Sequence, residues 1–241
     1  MSDSNFTTIF GDSDMVPYLK VWNQLQETLK NILRWVSFKK ELKEKYPKAK
    51  EMREQTTLQH TLGGQFLLDS IVCKINRLTS LMLDEALMLR AFLYHDLPEG
   101  IRGIDVPATQ KTDDDDLQEY LAFCTILKHM SPQSAAKKKY AYLLQFAYEF
   151  PQNFPEEALE VMREIRKNHM NEAIIFSFIE RYDYVQYTLE HFQKTDDPIP
   201  LQMLLRSYMS KFDAYVELVP ELSLIWSPGF KARCQKVLEL K

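Results

Sequence analysis

The stretch EAIIFSFIERYDYVQYTLEHFQ occupies residues 172–193. Ile175, Phe178, Tyr182, Val185 and Leu189 recur within it at intervals of three and four, which places them on one face of a helix. No part of the chain alternates apolar and polar residues as a half-buried strand would, and glycine is scarce, with six in 241 residues. The expected fold class is therefore all-α. Asp183 interrupts this stretch beside the apolar stripe, next to Tyr182. A carboxylate in such a place is costly unless it is paired or bound to a metal. Two readings are open: an interfacial acid hydrogen-bonded to a tyrosine, or a metal ligand.

Working outward, the helical period predicts a long helix from Val16 to about Glu44, with Leu19, Trp22, Leu25, Leu29, Ile32 and Val36 as its stripe. Trp22 and Trp35 would then share a face that packs this helix on the rest of the chain or on a second subunit. A second helix is expected over 59–78, its apolar face being Leu62, Phe66, Ile71, Ile75 and Leu78. Gly63-Gly64 near its start would permit close packing. Asp84 is the expected N-cap of a helix carrying Leu87, Ala91 and Tyr94 and stopping near His95. Two prolines and two glycines make 97–112 a loop. The acids of TDDDDLQEY then open a helix whose dipole favours them in its first turn. Further helices are expected at 133–149, 156–168 and 201–216, followed by a C-terminal tail. The organisation is a leader and helix over 1–44, a core over 45–195, and a final helix and tail over 196–241.

The bulk properties narrow the function. Hydrophobic residues make up 45% and charged residues 27%, with a net charge of −4. That balance argues against a protein built for duplex nucleic acid, which presents a basic face. The one basic run, Lys137-Lys138-Lys139, is expected to be a solvated helix face. No apolar run approaches the roughly 20 residues that span a bilayer, and the polar, acidic N-terminus is not expected to be a signal peptide. Cys73, Cys124 and Cys234 are odd in number and contain no CxxC pair, so reduced thiols and a cytoplasmic setting are expected.

The chemistry gathers around five histidines. Of these only His95 is followed directly by an aspartate, Asp96, at the point where an apolar helix ends. His60 begins the preceding helix. Two neutral imidazoles and one or two carboxylates suit a divalent transition metal with open positions. A helix that simply stops at His95 is the other reading. His129, His169 and His191 are expected at the surface, and Asp113 to Asp116 as a charged helix N-terminus.

The arrangement His60, His95-Asp96, Asp183 resembles the HD-domain metal-dependent phosphohydrolases, an all-helical family, and most closely its bacterial 5'-deoxynucleotidases. The segment after the pair, Tyr94-His95-Asp96-Leu97-Pro98-Glu99 and then Gly103-Ile104-Asp105-Val106-Pro107-Ala108-Thr109-Gln110-Lys111, is similar to the Y-H-D-x-x-E and G-D-x-P-T-x-x-K of those enzymes, with Ile104 and Ala108 as extra residues. The resemblance spans roughly 45–195. It implies an HD-domain helical bundle with an additional N-terminal helix. It implies His60, His95, Asp96 and Asp183 as ligands of a divalent metal, whether Co, Mn, Fe, Mg, Zn or Ni. Glu99 would serve in proton transfer, and Asp105 would read the sugar hydroxyl. Lys45-Tyr46-Pro47 stands where the family has an Arg-aromatic-Pro entry, so Lys45, with Arg53 and Lys111, would supply cations, and Tyr46 a flat surface for sugar or base. The implied activity is hydrolysis of deoxynucleoside 5'-monophosphates to nucleoside and phosphate, by a cytoplasmic enzyme that forms a homodimer. The competing expectations are an HD phosphohydrolase acting on a nucleoside triphosphate or signalling nucleotide, and a catalytically weak nucleotide-binding HD protein.

Overall fold

A computed structural model describes residues 23–104, 106, 111–128 and 130–240. Among these the chain is all-α, as the periodicity predicts. After a helical segment at 23–29, its helices are α1 (Val36–Lys45), α2 (Thr57–Leu78), α3 (Glu85–Tyr94), α4 (Leu97–Arg102), α5 (Asp113–Leu127), α6 (Pro132–Ala147), α7 (Glu156–Asn168), α8 (Met170–Thr195), α9 (Ile199–Leu218) and α10 (Pro228–Leu238), with a 3₁₀ turn at Pro220–Leu224. The one extended feature is an isolated antiparallel bridge between Leu33 and Thr56. No helix of the described residues is long and apolar enough to cross a membrane.

The opening stretch forms the central helix, α8. It is buried almost all round, from Ala173 through Ile179 and again at Tyr184, Val185, Tyr187 and Thr188. A helix apolar on every side needs neighbours on every side, and α2, α3, α6, α7 and α9 all pack against it. Phe178 and Tyr182 meet Phe212 of α9, and Tyr182 also meets Phe230 of α10.

Several expectations are corrected. The first is the long N-terminal helix, whose residues 16–22 lie outside the described ones. The described part is helical at 23–29 and then breaks. The Asn31 side chain donates to Glu27 O and Trp35 takes a left-handed backbone, φ 70°, before α1 begins. That conformation costs a non-glycine residue roughly 1 kcal/mol. It is offset by stacking of the Trp35 ring on Tyr187 at 4.8 Å, and by its indole N–H, which donates to Gln55 Oε1 at 2.8 Å. The break turns Arg34 inward and leaves Leu33 and Val36 exposed, although Val36 was placed on the apolar stripe.

The second correction concerns α2. Its capping box, Thr56 with Gln59, fixes the start two residues earlier than expected. Ile71 and Ile75 are buried as expected, but Leu62, Phe66 and Leu78 are exposed. The inward face begins instead with Thr57, His60, Thr61 and Gly64 and only then becomes aliphatic, at Leu68, Ile71, Val72 and Ile75. Gly64 is where α2 meets α3: a Cβ there would lie 2.3 Å from the ring of Phe92, which is fully buried. Gly64→Ala is therefore expected to destabilise the fold by about 2 kcal/mol, as overpacking does. A urea midpoint unchanged from the parent would contradict this.

Third, the C-terminal tail holds a helix. Ser227 caps α10, with Pro228 in its first turn. Gln202 of α9 donates to Val237 O and Leu240 O, which docks it. Within the expected 97–112 loop, the short α4 forms and stops at Gly103, whose φ of 72° suits glycine. His191, expected at the surface, is buried, and burial pulls its pKa down. His169 is half-buried at the junction of α7 and α8, and His129 lies outside the described residues.

Candidate metal centre

The inward face of the first α2 turns carries Thr57, His60 and Thr61. The C-terminal end of α3 presents His95, Asp96 joins α3 to α4, Glu99 lies in the first turn of α4, and Asp183 stands midway along α8. Packing of α2 on α3 and α8 brings them together.

His60, His95 and Asp96 are buried, and each offers a ligand atom within 4.8 Å of the others. His60 Nε2 is 3.6 Å from Asp96 Oδ2, and His95 Nε2 is 3.1 Å from Asp96 Oδ1. The other ring nitrogens are engaged. His95 Nδ1–H donates to Phe92 O at 2.6 Å, and His60 Nδ1–H donates to Asp183 Oδ2 at 2.8 Å. In the neutral form of each ring these bonds leave the lone pair on Nε2. Both Nε2 atoms are buried without a hydrogen-bond partner. Orphaned polar atoms in a core call for an occupant, and two imidazole lone pairs facing a carboxylate fit a divalent cation. The triad could hold one.

Electrostatics prepares the same site. Burial pushes the His95 pKa down, so the ring is neutral near pH 7 and able to ligate. Burial opposes ionisation of Asp96, but the positive charge that His95, Arg34, His60 and Lys111 can place around it wins and holds it at about 2. Asp183 contacts the ring edge of His60 opposite to the triad. It is not among the three residues whose ligand atoms converge.

Arg34 also lies at this site and was not singled out in the sequence reading. It is 5% exposed. Its Nη1 lies 2.9 Å from Asp96 Oδ2 and 3.7 Å from Glu99 Oε1, and its Nη2 donates to Tyr184 Oη at 2.8 Å. The available signal was a lone arginine inside the apolar run Ile32-Leu33-Arg34-Trp35-Val36. Glu99 is no exposed loop acid: it is 6% exposed, and Thr57 Oγ1 donates to its Oε2 at 2.8 Å.

The expected substrate contacts are more scattered. Arg53 and Asp183 line one pocket of about 600 Å³, together with Gln59, Gln186 and Tyr187. The Arg53 guanidinium lies over the Tyr187 ring and pairs with Glu190 at 3.0 Å. Lys45 is exposed on α1 and pairs with Glu41 at 2.7 Å, while Tyr46 follows that helix and packs on the core. Lys111 is engaged by Glu119 at 2.6 Å and Asp116 at 3.2 Å. Asp105 lies outside the described residues. Comparison of the chain with protein-family models, with curated proteins and with solved structures gives no match, so the chemistry of this site is that of its own residues.

Proposed function

We propose that the chain is a metal-dependent phosphohydrolase acting on deoxynucleoside 5'-monophosphates. The observation that carries the reading is the pair of buried Nε2 lone pairs of His60 and His95 facing ionised Asp96. The resemblance to the HD-domain 5'-deoxynucleotidases, through His60, His95-Asp96, Glu99 and Asp183, supports it. His60, His95 and Asp96 would hold the cation, which supplies Lewis acidity that acidifies water and polarises a phosphoryl oxygen.

The remaining work falls to the chain. Glu99, oriented by Thr57, accepts the proton of the water whose oxygen attacks phosphorus. As the bond from phosphorus to the 5'-oxygen breaks, Glu99 passes that same proton to the oxygen, so the nucleoside leaves as an alcohol beside phosphate. Arg34, beside both carboxylates, offers its guanidinium to the phosphate oxygens as they gain charge. The acids Asp183, Glu54 and Glu190 outnumber Arg53 around the neighbouring pocket. Such a wall repels a polyphosphate and suits a monophosphate with an uncharged, hydrogen-bonding remainder. Preference for deoxyribose rests on the resemblance, through Asp105.

The test is orthophosphate release from deoxy- and ribonucleoside mono-, di- and triphosphates, with Mn²⁺, Co²⁺ or Mg²⁺ added. Release is expected from the deoxynucleoside monophosphates. Absence of release from every substrate by metal-loaded protein would overturn the proposal, and release from triphosphates alone would replace its substrate.

A further inference from the structure

Glu119 lies on α5, outside the donor set, yet only 3% of it is exposed. Its two carboxylate oxygens serve two cations from opposite ends of the segment 103–110. Oε1 accepts from Arg102 Nη1 at 3.3 Å, and Oε2 accepts from Lys111 Nζ at 2.6 Å. Neighbouring acids extend the tie: Arg102 Nη2 reaches Asp115 at 3.3 Å, and Lys111 Nζ reaches Asp116 at 3.2 Å. The acid run at the start of α5 is thus partly turned toward these cations and is not only a charged helix terminus.

Arg102 closes α4, one turn beyond Glu99. With six residues, α4 is far too short to hold itself as a helix, so its orientation is set by its contacts. Arg34 grips Asp96 at the N-terminal end, Leu25 and Leu29 lie against Gly100 in the middle, and Glu119 grips Arg102 at the C-terminal end. Exposed ion pairs do little. Here the carboxylate is buried while Arg102 and Lys111 are half-buried, so losing a cation leaves the Glu119 charge in the interior.

We infer that Glu119 is a positioning residue: by joining Arg102 to Lys111 it sets the orientation of α4, and with it Glu99. Its effect on turnover rests on the hydrolase reading above; the structural tie does not. The experiment takes full-length, metal-loaded Glu119→Gln, Lys111→Met and the double variant.

Each single variant is expected to lose roughly tenfold or more in kcat, since displacing a catalytic group by about 1 Å is that costly. KM should move less than kcat, and metal content by elemental analysis should be unchanged. The double variant should be no slower than the worse single one, because both break the same tie. Glu119→Asp should recover part of the rate. Amide exchange in α4 and across 111–116 should quicken in Glu119→Gln. Unchanged exchange, or additive losses in kcat, would overturn the inference. A parent protein that releases no phosphate would sink the hydrolase reading instead, leaving exchange to decide on the tie.

Discussion

Arg34→Met is expected to lower the stability of the protein by about 3–5 kcal/mol, the usual cost of removing one partner from a buried ion pair, and to end phosphate release. Asp96 and Glu99 are both nine-tenths buried or more and both face the same guanidinium. Methionine fills much of the volume but leaves two carboxylates in the interior without that charge. The hydroxyl of Tyr184 loses its donor as well. Arg34→Lys separates charge from geometry. It keeps one positive charge but cannot span Asp96 and Tyr184 with a planar fork. It should fold at a cost nearer 1–2 kcal/mol, the scale of one or two charged hydrogen bonds, and remain slow. Urea unfolding of the three proteins checks this. Added Mn²⁺ should recover more stability in Arg34→Met than in the parent, because a cation at Asp96 takes over part of the neutralisation. An Arg34→Met midpoint close to that of the parent would show that the guanidinium is not what offsets the burial of these acids.

The residues that the sequence makes legible are those whose surroundings are ordinary. α8 is readable because five large apolar side chains repeat along it, and α3 because Asp84 caps it and accepts from Leu87 N–H. Two of the misreadings, the start of α2 and the break before α1, lie next to the candidate site and share a cause. The inward face of α2 starts with threonine, histidine and glycine, since it must offer a lone pair, hydroxyl donors and room for Phe92. A search for apolar stripes therefore selects Leu62 and Phe66, on the outside. Arg34 is hidden likewise, because the helical period runs straight through 30–35, where the chain in fact bends to bury a cation. His60, His95, Asp96 and Glu99 were visible as residue types, but periodicity says nothing of the hydrogen bond that aims each ring. Asp183 was readable as an acid near a core. That it meets His60 from the Nδ1 side is decided by the packing of α8 on α2, which is a long-range fact.

His60→Ala is expected to abolish retention of any divalent metal through gel filtration, whereas Asp183→Asn should lower affinity by only about 10- to 100-fold, the usual loss when a supporting carboxylate behind a metal-bound histidine is changed. The difference follows from which ring nitrogen each change affects. Removing His60 deletes one of three converging donors and leaves one imidazole and one carboxylate, too few to fix a tetrahedral or octahedral ion. Changing Asp183 leaves all three donors and removes the negative charge behind His60 Nδ1. The ring is then less basic and freer to turn, but Nε2 is still present. Elemental analysis of both variants, with titration calorimetry of the chelator-treated proteins, measures the gap. Equal and complete loss in the two would make Asp183 a direct ligand. Retention by His60→Ala would remove the triad from consideration altogether. Chelator treatment of the parent should leave a folded protein, because the aromatic and aliphatic core around α8 does not depend on the site. The bound ion should nevertheless raise the midpoint according to RT ln(1 + [M]/Kd), about 2.7 kcal/mol at a hundredfold excess over Kd. That increment should vanish in His60→Ala and persist, shifted to higher metal concentration, in Asp183→Asn.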